Sequence, residues 1–449
     1  MSLLKVYEFS LLAVLCLIVL HAPLSVLIGH ILPDYALLAK AWKEIVLSLL
    51  SLLAIVLITR KKAWPTVLTS PFVWLAVGFI MIHFLLAIVF WGDIRAIVAG
   101  LMIDLRFIIM FLLMYILILF NPDAIKRAMK IILVGGLVVV GFGLLQITVL
   151  PDNVLSFMGY SHSTVAPYTT IDRNPDFVRI NSTLRGPNPL GALMVVYLGL
   201  LLAYLLALKK DLEHSRVWMV IASMASTVAV LFATYSRSAY LAAVAILVAT
   251  PVLFGKVSKK VLGIGVAMLA IVVLAGLFIS QTDWFSNVIL HEDPESNVVA
   301  KSNEGHVTSL FDGLHRVGTQ PFGAGIGSTG SASLYDKNTS NNTIIENTYL
   351  FIAHESGWLG LLVFLALFST TVVTLWRHRA KSWLNVAVLT SGVGLALIGL
   401  LLPVWVDDTV SIIWWALAGM ALASVSGIIG EGNAKRTRKQ KTTRATELR

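Results

Sequence analysis

The chain has 449 residues, of which 57% are hydrophobic and only 13% are charged. Soluble domains carry about 25% charged residues, so this composition excludes a soluble enzyme and predicts a polytopic membrane protein. The formal net charge of +10 does not indicate a nucleic-acid partner, because the basic residues are spread over short loops and the C-terminal tail. The lone cysteine, Cys16, excludes an intramolecular disulfide bond and a cysteine metal site.

Long apolar runs follow one another along most of the chain. A helix needs about 20 apolar residues to cross the hydrocarbon core of a bilayer. Runs of suitable length stand at residues 8–32, 42–59, 71–91, 97–120, 130–150, 188–208, 217–234, 239–255, 261–280, 348–376, 383–402 and 409–430. The first run follows Lys5 without a small-residue cleavage site, which favours an uncleaved signal anchor. We therefore predict an all-α polytopic membrane protein with about 12 transmembrane helices.

The basic residues concentrate in alternate connections between the apolar runs. Clusters stand at residues 60–62, 126–130, 209–216, 256–260 and 377–381. Because the cytoplasmic loops of membrane proteins are enriched in Lys and Arg, we expect a cytoplasmic (inner) membrane protein with both termini in the cytoplasm. Two long loops, 151–187 and 281–345, then face outward, as does a short turn at 235–238.

These boundaries divide the chain into six segments. They are transmembrane helices 1–5 at residues 1–150, a first outer loop at 151–187, transmembrane helices 6–9 at 188–280, a large outer loop at 281–345, transmembrane helices 10–12 at 346–430 and a basic cytoplasmic tail at 431–449. Lipid offers no partners to polar groups, so a large polar loop on one face favours an active site there. The tail indicates an anchor beside anionic membrane lipid.

Arginines near the predicted outer face are the first candidates, because a guanidinium stays charged and offers phosphate a fixed fork of donors. Arg106 stands inside the fourth apolar run, where a charge is costly. It would either bind an anion that enters from the outer leaflet or pair with a carboxylate on another helix. Arg237, in the short outer turn, would either bind an anion together with its hydroxyl neighbours or only extend to the membrane surface.

The run that leads into the sixth apolar segment combines Arg179, Arg185 and Asn188 with several prolines and glycines. The prolines and glycines predict a turn before a helix, with Asn188 as a plausible N-cap. A turn does not account for the two arginines, which stand beside a helix N-terminus whose dipole already attracts anions. We expect these three residues to bind substrate.

The large outer loop contains His306, His315 and Arg316 among apolar residues at helical spacing, which predicts a short amphipathic helix on the membrane. His306 would act as an acid or base, or donate a hydrogen bond to phosphate, unless it is incidental. Pro321 ends this helix. The glycine run 323–327 predicts a loop whose bare backbone can approach a ligand, although no strand precedes it as in a dinucleotide site.

Glu346 and Asn347 open the tenth apolar run. The helix dipole favours a carboxylate there, so Glu346 would serve as a capping residue. Alternatively, it would be the general base that removes a proton from an attacking hydroxyl. His354 and Glu355, two turns later, are interpreted as structural polar residues. No motif predicts a metal site or a cofactor, and the acidic residues at 292–295 are interpreted as a solvated turn.

The order of these motifs resembles the O-antigen ligase and O-antigen polymerase superfamily of bacterial membrane glycosyltransferases. The motifs are Gly186-Pro-Asn188-Pro-Leu-Gly191, Ser236-Arg237-Ser238, Pro321-Phe-Gly-Ala-Gly-Ile-Gly327 and Asn347-x-Tyr-Leu with Glu355-x-Gly357-x-Leu-Gly360. The resemblance implies a metal-independent enzyme whose donor is a glycan linked to undecaprenyl diphosphate, with Arg237 holding the diphosphate. Ligases of this superfamily typically have His-Asn where this chain has Glu346-Asn347. A glutamate at this position resembles the polymerase branch. The resemblance therefore leaves both a ligase and a polymerase as alternatives.

The resulting hypothesis divides the candidate residues into two groups. Catalysis is assigned to Glu346, His306 and Arg237, and substrate binding to Arg106, Arg179, Arg185, Asn188, His315, Arg316 and Asn347. The arginines would stabilise the diphosphate as a leaving group, while Glu346 deprotonates a hydroxyl of a glycan, lipid or protein acceptor. The alternatives are a lipid-linked oligosaccharide flippase and an O-linked protein oligosaccharyltransferase. The long outer loop, and an expected lack of buried charges spread over many spans, argue against the flippase.

Overall fold

A computed structural model describes residues 2–161, 163–171, 174–208, 214–255, 302–337 and 344–426, with side chains only from residue 308 onward in the fifth range. The α-helices are α1 (Leu3–Leu17), α2 (His21–Ile31), α3 (Ala36–Arg60), α4 (Trp64–Leu68), α5 (Pro71–Val89), α6 (Ile94–Phe120), α7 (Ala124–Thr148), α8 (Pro187–Ala207), α9 (His214–Phe232), α10 (Arg237–Leu253), α11 (Ser302–Thr319), α12 (Gly330–Ser333), α13 (Thr348–Arg377), α14 (Trp383–Ile398) and α15 (Asp408–Ser426). Short 3₁₀ helices occupy Ile18–Leu20, Pro33–Tyr35, Val154–Met158 and Arg379–Lys381, and two strands are β1 (Thr169–Ile171) and β2 (Asn174–Arg179).

The described part of the chain is a bundle of apolar helices, as the sequence predicts. Nine helical segments in it are long and apolar enough to cross a membrane, with α1 and α2 counted as one segment, and α10 and α14 are shorter apolar helices. Together they account for every predicted span except 261–280, which lies outside the described residues. The helical membrane architecture is therefore confirmed, and the total of 12 spans stays a prediction.

The first predicted outer loop contains a small antiparallel sheet, which the all-α prediction did not include. Strands β1 and β2 pair with Thr169 opposite Arg179. Directly after β2, the N–H of Ile180 donates to the carbonyl of Ala233 at 3.3 Å. This hydrogen bond joins the end of the sheet to the connection between α9 and α10, and it brings Arg179 to the turn that contains Arg237.

The centre of the bundle is aromatic. The rings of Trp405, Trp414 and Trp415 are buried, and their centroids lie 5.1, 5.7 and 5.0 Å apart. Phe364 of α13 and Phe107 of α6 pack against Trp415 with centroid distances of 6.2 and 5.6 Å. Because lipid tails are as apolar as the side chains, close packing rather than burial holds membrane helices together. These interlocking rings fix the start of α15 against α6 and α13.

Helix α13 is broken at Gly357, whose φ of +67° lies in the left-handed region that favours glycine. A break within an apolar layer leaves backbone groups that lipid cannot satisfy. The segment after Pro321 supplies the missing partners. The N–H of Ala324 donates to the carbonyl of His354 at 2.6 Å, and the N–H of Trp358 donates to the carbonyl of Pro321 at 2.9 Å. This segment is therefore built into the helix bundle.

Helix α11 packs across the N-terminal part of α13. The indole N–H of Trp358 donates to the carbonyl of Val317 at 2.9 Å, and Gly313 lies against Leu350. On the opposite side of α11, the Phe311 side chain is exposed. The predicted amphipathic helix is confirmed, and it ends before Pro321 as expected. Its position on a membrane surface stays a prediction.

Candidate functional site

Three of the predicted site residues meet where β2, α8 and the α9–α10 turn come together. The Arg179 guanidinium donates from Nε to the carbonyl of Thr234 at 2.8 Å. It also donates from Nη2 to Oδ1 of Asn188 at 2.7 Å. Arg237, the first residue of α10, lies close enough to Arg179 to disfavour its positive charge. We refer to Arg179, Asn188, Thr234 and Arg237 as the double-arginine cluster.

The turn between α9 and α10 has a fixed shape that sets the position of Arg237. The hydroxyl of Thr234 donates back to α9 at 2.6 Å and accepts from the N–H of Ser236 at 3.2 Å. Tyr235 takes a left-handed φ of +49°, which sharpens the turn. At Gly191 of α8, an added Cβ would stand 2.9 Å from the Cβ of Ala239. Glycine therefore allows α8 and α10 to approach closely enough to form the cluster.

Asn188 has a different role from the predicted one. Helix α8 begins at Pro187 after Gly186, and no side chain caps it. Asn188 lies inside the first turn, where its side-chain oxygen accepts from Arg179. The predicted N-cap role is therefore wrong, and the residue instead orients a guanidinium.

The electrostatics of the cluster favour a bound anion. Burial and, to a smaller extent, the nearby positive charge of Arg237 lower the pKa of Arg179 to about 10, against an opposing effect of Tyr240. Arg179 still carries its charge at neutral pH. Its two hydrogen-bond partners are neutral oxygens, so neither of them balances that charge. A phosphate group between the two guanidinium groups would relieve their mutual repulsion.

Arg106 lies in a different environment, among buried charged side chains of α3 and α15. Its Nη1 donates to Oε1 of Glu44 at 3.1 Å, and its Nη2 lies 2.5 Å from Oδ1 of Asp408 as an ion pair. It also donates to the backbone carbonyl of Val406. Lys43 Nζ lies 3.0 Å from Glu44 Oε1 and 2.9 Å from Asp408 Oδ2. Two cations thus meet two carboxylates. Of the two interpretations of Arg106, pairing with carboxylates on other helices is the one that these contacts match.

His21 completes this group, and its contacts indicate its tautomer. The indole N–H of Trp42 donates to His21 Nδ1 at 3.0 Å, so Nδ1 accepts and Nε2 carries the hydrogen. Nε2 lies 2.9 Å from Asp408 Oδ2, to which it donates. Lys43 Nζ, at 3.0 Å from the same nitrogen, is then a second donor that converges on Asp408. We refer to His21, Lys43, Glu44, Arg106 and Asp408 as the neutralised network.

Arg185 stands at the edge of the neutralised network. Its Nη1 lies 4.0 Å from Oδ1 of Asp408, and its side chain is 51% exposed. The adjacent Asp407 has a pKa of about 6, which burial raises first and the negative charge of Asp408 raises further. Arg185 therefore lies near two carboxylates, while half of its side chain remains exposed.

Asn347, rather than Glu346, caps the start of α13. Its Oδ1 accepts from the N–H of Tyr349 at 2.9 Å, and its Nδ2 donates to the carbonyl of Leu400 at 2.7 Å. The capping interpretation of Glu346 is therefore wrong. Glu346 is half-buried and precedes the helix. Its backbone N–H donates to Oγ of Ser309 on α11 at 3.1 Å. Asn347 thus contacts the chain just beyond the C-terminal end of α14, so the start of α13 lies at that end of the bundle.

The candidates in the large outer loop are only partly described. His315 is exposed on α11. Arg316 is half-buried and lies near enough to His354 for an electrostatic interaction. The backbone of His306 belongs to α11, but its side chain lies outside the described residues, as does all of His291. The roles of these residues stay predictions.

The glycine run packs against the protein itself. An added Cβ on Gly323 would stand 2.7 Å from the backbone N of Gly357, and one on Gly327 would stand 2.2 Å from the carbonyl oxygen of Ala96. Both glycines have positive φ, at +83° and +80°. The bare backbone therefore approaches helices α13 and α6. Close packing accounts for these two glycines, and the approach of a ligand to this loop stays a prediction.

Sequence analysis missed the carboxylates and the lysine that pair with Arg106. Lys43 and Glu44 stand at the start of the second apolar run and Asp408 stands just before the last. Charges at such positions indicate partners on other helices, and this signal was present in the sequence. The expected lack of buried charges across spans is also wrong, because the neutralised network draws on α2, α3, α6 and α15. Within the described ranges, no group of three or more His, Cys, Asp or Glu residues is arranged to hold a metal ion.

Comparison with known proteins identifies one related family. Residues 221–365 match the family model described as O-antigen ligase. No curated protein matches the chain. The match confirms the resemblance to the O-antigen ligase and polymerase group, and it supports a glycan-transferring, ligase-type function. The matched region contains Arg237 and Glu346, whereas Arg106, Arg179 and Arg185 precede it.

Proposed function

We propose that this protein transfers a glycan from a polyprenyl diphosphate, such as undecaprenyl diphosphate, to an acceptor hydroxyl at the outer face of the cytoplasmic membrane. The observation that carries the proposal is the double-arginine cluster, in which Arg179 is bonded to neutral oxygens and lies near enough to Arg237 to be disfavoured by its charge. Such a site is suited to a diphosphate, whose negative charge would balance the Arg179 guanidinium and reduce its repulsion by Arg237. The ligase-type family match supports the same chemistry.

In the proposed reaction, the acceptor oxygen attacks the anomeric carbon of the donor sugar. Its proton passes to the carboxylate of Glu346, with His306 assisting. The bond between the anomeric carbon and the diphosphate oxygen breaks, and the polyprenyl diphosphate leaves with the electron pair. Arg237 and Arg179 stabilise the charge that develops on it, an effect that is often the largest catalytic term. One displacement inverts the anomeric configuration without a covalent intermediate.

The remaining candidate residues take supporting roles in this proposal. Arg185, which is half-exposed, provides a further cation for the donor. Arg106 is already bonded to two carboxylates, so we assign it to positioning Asp408 and, through it, Arg185. His315 and Arg316 on α11 would contact the acceptor. Asn347 would orient Glu346 through the cap of α13.

The test is glycan transfer in vesicles that contain the purified full-length protein, a lipid-diphosphate-linked glycan and an acceptor glycan. Arg237→Ala should lower the transfer rate by about a hundredfold or more, as expected when one charge-stabilising donor is lost. Arg237→Lys should recover only part of the rate, because an ammonium cannot form the paired contacts of a guanidinium. Arg95→Gln, on an exposed arginine in the first turn of α6, is the matched control and should keep full activity. Full transfer by Arg237→Ala would refute the proposal.

A flippase remains a second candidate function, because the neutralised network places charges from α3, α6 and α15 inside the bundle. Intramembrane charges of this kind often mark transport pathways. The same vesicles separate the two functions. A flippase moves the donor lipid between leaflets without a new glycosidic bond, whereas the proposed enzyme forms the bond when donor and acceptor are on the same side. A glycan attached to a protein band would instead indicate a protein acceptor.

A further inference from the structure

A second buried polar group lies apart from the arginines. It consists of His83 of α5, Asp104 of α6 and Glu355 of α13. The side chains of Glu355 and Asp104 are within hydrogen-bond distance of one another, and His83 Nε2 lies 4.0 Å from Asp104 Oδ2. The three side chains line one small cavity, whose other walls include Phe107 and Trp405. We refer to His83, Asp104 and Glu355 as the carboxyl triad.

The hydrogen bonds of the triad leave two oxygen atoms without a protein donor. Glu355 Oε1 accepts from the N–H of Thr329 at 3.2 Å, and the N–H of Gly327 also donates to this carboxyl group. Oε2 of Glu355 and Oδ2 of Asp104 are buried and have no donor among the described residues. Ionised carboxylates only accept hydrogen bonds. The contact between the two groups is therefore a hydrogen bond only if one of them carries a proton.

The surroundings of the triad do not supply a compensating cation. Among the described residues, no Lys or Arg forms an ion pair with Asp104 or Glu355; Arg106, on the same helix as Asp104, pairs with Glu44 and Asp408 instead. On α13, the neighbouring His354 interacts with Arg316. Two ionised carboxylates side by side in an apolar interior are strongly disfavoured.

His83 sets the number of protons that make the triad neutral. Its Nδ1 lies 2.9 Å from the carbonyl of Phe79, and since a carbonyl can only accept, Nδ1 carries a hydrogen. Nε2 is then free to take a proton from Asp104 or to leave it there. In either case the triad is neutral when it holds two further protons. These protons are distributed over Nε2, Asp104 and Glu355.

The triad also fastens part of the large outer loop. Glu355 holds the N–H groups of Gly327 and Thr329, while the adjacent carbonyl of His354 accepts from Ala324. All of these donors belong to the segment that follows Pro321. A change of charge on Glu355 therefore acts directly on the attachment of this segment to the break in α13.

We propose that the carboxyl triad is a buried proton-binding site that fastens segment 321–329 to α13, and that loss of a proton from it releases the segment. In the protonated state, His83 Nε2 holds one of the two protons and the other joins Asp104 to Glu355, while Glu355 Oε1 remains on the loop. Loss of the shared proton leaves two ionised carboxylates that repel one another in an apolar interior. An ionised Glu355 accepts more strongly from the N–H groups of Gly327 and Thr329, but we propose that the repulsion and the cost of the buried charge outweigh these bonds and that Glu355 moves toward water. This proposal does not depend on the proposed glycan transfer.

The first test is infrared spectroscopy of the full-length protein in lipid nanodiscs. A protonated buried carboxyl group has a carbonyl stretching band that an ionised one lacks. We expect this band in the wild type at neutral pH and its loss in Asp104→Asn and in Glu355→Gln. Glu8→Gln, which changes a carboxylate on α1 that pairs with Arg127, should keep it. Absence of the band from the wild type, or its survival in both triad variants, overturns the proposal.

The second test measures the loop itself. Spin labels on Ser331→Cys and Val373→Cys, in a Cys16→Ser background, report the distance between the loop and α13. In the wild type we expect one distance at neutral pH and a second, broader population at alkaline pH. Glu355→Gln should keep the neutral-pH distance at neutral and at alkaline pH, because its carboxamide accepts from Thr329 and donates to Asp104. If Glu355→Gln does not fold, Asp104→Asn serves the same purpose. A wild-type distance that does not change with pH, or a variant that changes as the wild type does, refutes the release.

A sodium ion is the competing occupant. Replacing N-methylglucamine by sodium at constant pH should leave the infrared band unchanged if the site binds protons. Loss of the band on addition of sodium would show that the triad is a site for a metal cation, and would overturn the assignment to protons.

Discussion

Two arginines of this protein, the buried Arg106 and the half-buried Arg179, lie in opposite electrostatic settings. Arg106 belongs to the neutralised network, where it and Lys43 meet the carboxylates of Glu44 and Asp408. Arg179 belongs to the double-arginine cluster, where its partners are neutral oxygens and its neighbour is another guanidinium. Arg106 is already charge-balanced, and Arg179 is not balanced by the groups that bind it.

The difference shows that burial of a charged residue does not by itself identify a binding site. A buried cation must be balanced, and the protein does so either with its own carboxylates or with a ligand. Arg106 is balanced by the protein's own carboxylates, and its ion pairs join α6 to α3 and α15. Arg179, whose hydrogen-bond partners are neutral oxygens, fits the second solution. The comparison predicts that variants of the network mainly change stability, whereas variants of the cluster mainly change ligand binding.

The largest effect is expected for Asp408→Asn. This substitution removes a carboxylate that binds Arg106, Lys43 and His21 at once, and it leaves buried positive charge uncompensated. Loss of one partner of a buried ion pair costs about 3–5 kcal/mol of unfolding free energy. Thermal unfolding in nanodiscs measures the change. Asp123→Asn, at an exposed pair with Lys126, is the control and should unfold as the wild type does. Equal stability of Asp408→Asn would break the comparison.

Arg179→Gln is expected to have the next largest effect, on binding. Loss of a charged donor to a diphosphate should weaken the affinity for a polyprenyl diphosphate by about 10- to 100-fold, since hydrogen bonds to charged groups contribute about 1.5–3 kcal/mol. The unfolding temperature should stay the same or rise, because repulsion from Arg237 is relieved. Binding of a labelled lipid diphosphate checks the first expectation. A loss of stability without a loss of affinity would assign Arg179 to structure.

Asn188→Asp tests whether the double-arginine cluster can be made charge-balanced like the neutralised network. A carboxylate at this position, 2.7 Å from the Arg179 guanidinium in the present geometry, would neutralise it as Asp408 neutralises Arg106. We expect an affinity for the lipid diphosphate about tenfold weaker, because the new carboxylate competes with the phosphate. Asn188→Ala, which removes the oxygen without adding charge, should weaken binding less. The opposite order of the two variants would contradict charge balance as the cause.

The smallest effect is expected for the pH dependence of diphosphate binding and of stability. Near neutral pH neither should change through Arg179. The pKa of Arg179 is lowered to about 10 by burial and by Arg237. Because this base is charged below its pKa, diphosphate binding should weaken as the pH rises through about 10, by up to tenfold per pH unit. Stability should move the other way, since the disfavoured charge is lost in the folded state first. Affinity and unfolding free energy are measured over the same series of alkaline pH values. The pH dependence that Arg179 causes should be absent from both quantities in Arg179→Gln.

The sequence predicts the helices of this fold well, because a membrane span needs only a long apolar run. It does not predict the break in α13. Gly357 lies within an apolar run, and the break persists because Pro321 and Ala324 satisfy its backbone groups. Those partners come from a distant segment, and their position depends on how the helices pack. The small sheet that carries Arg179 was missed for a similar reason, since β1 is only three residues long.

The candidate site was predicted residue by residue rather than as an arrangement. Residue type and position near a helix end are enough to select Arg179 and Arg237. Their proximity depends on the hydrogen bond from Ile180 to Ala233 and on the close approach of α8 and α10. In the same way, the sequence shows that Arg106 needs a partner but cannot choose Asp408. Charge pairing between helices is decided by packing, which a single sequence does not display.

The short length of α14 has a consequence for the chain that follows it. Its 16 residues span about 24 Å, less than the hydrocarbon thickness of about 30 Å in a typical bilayer. Most of its side chains are buried, so other helices rather than lipid surround it. The chain after such a helix would begin within the depth of the hydrocarbon layer, where backbone groups outside helices need protein partners. That chain contains Val406, and the Arg106 guanidinium supplies the partner for its carbonyl.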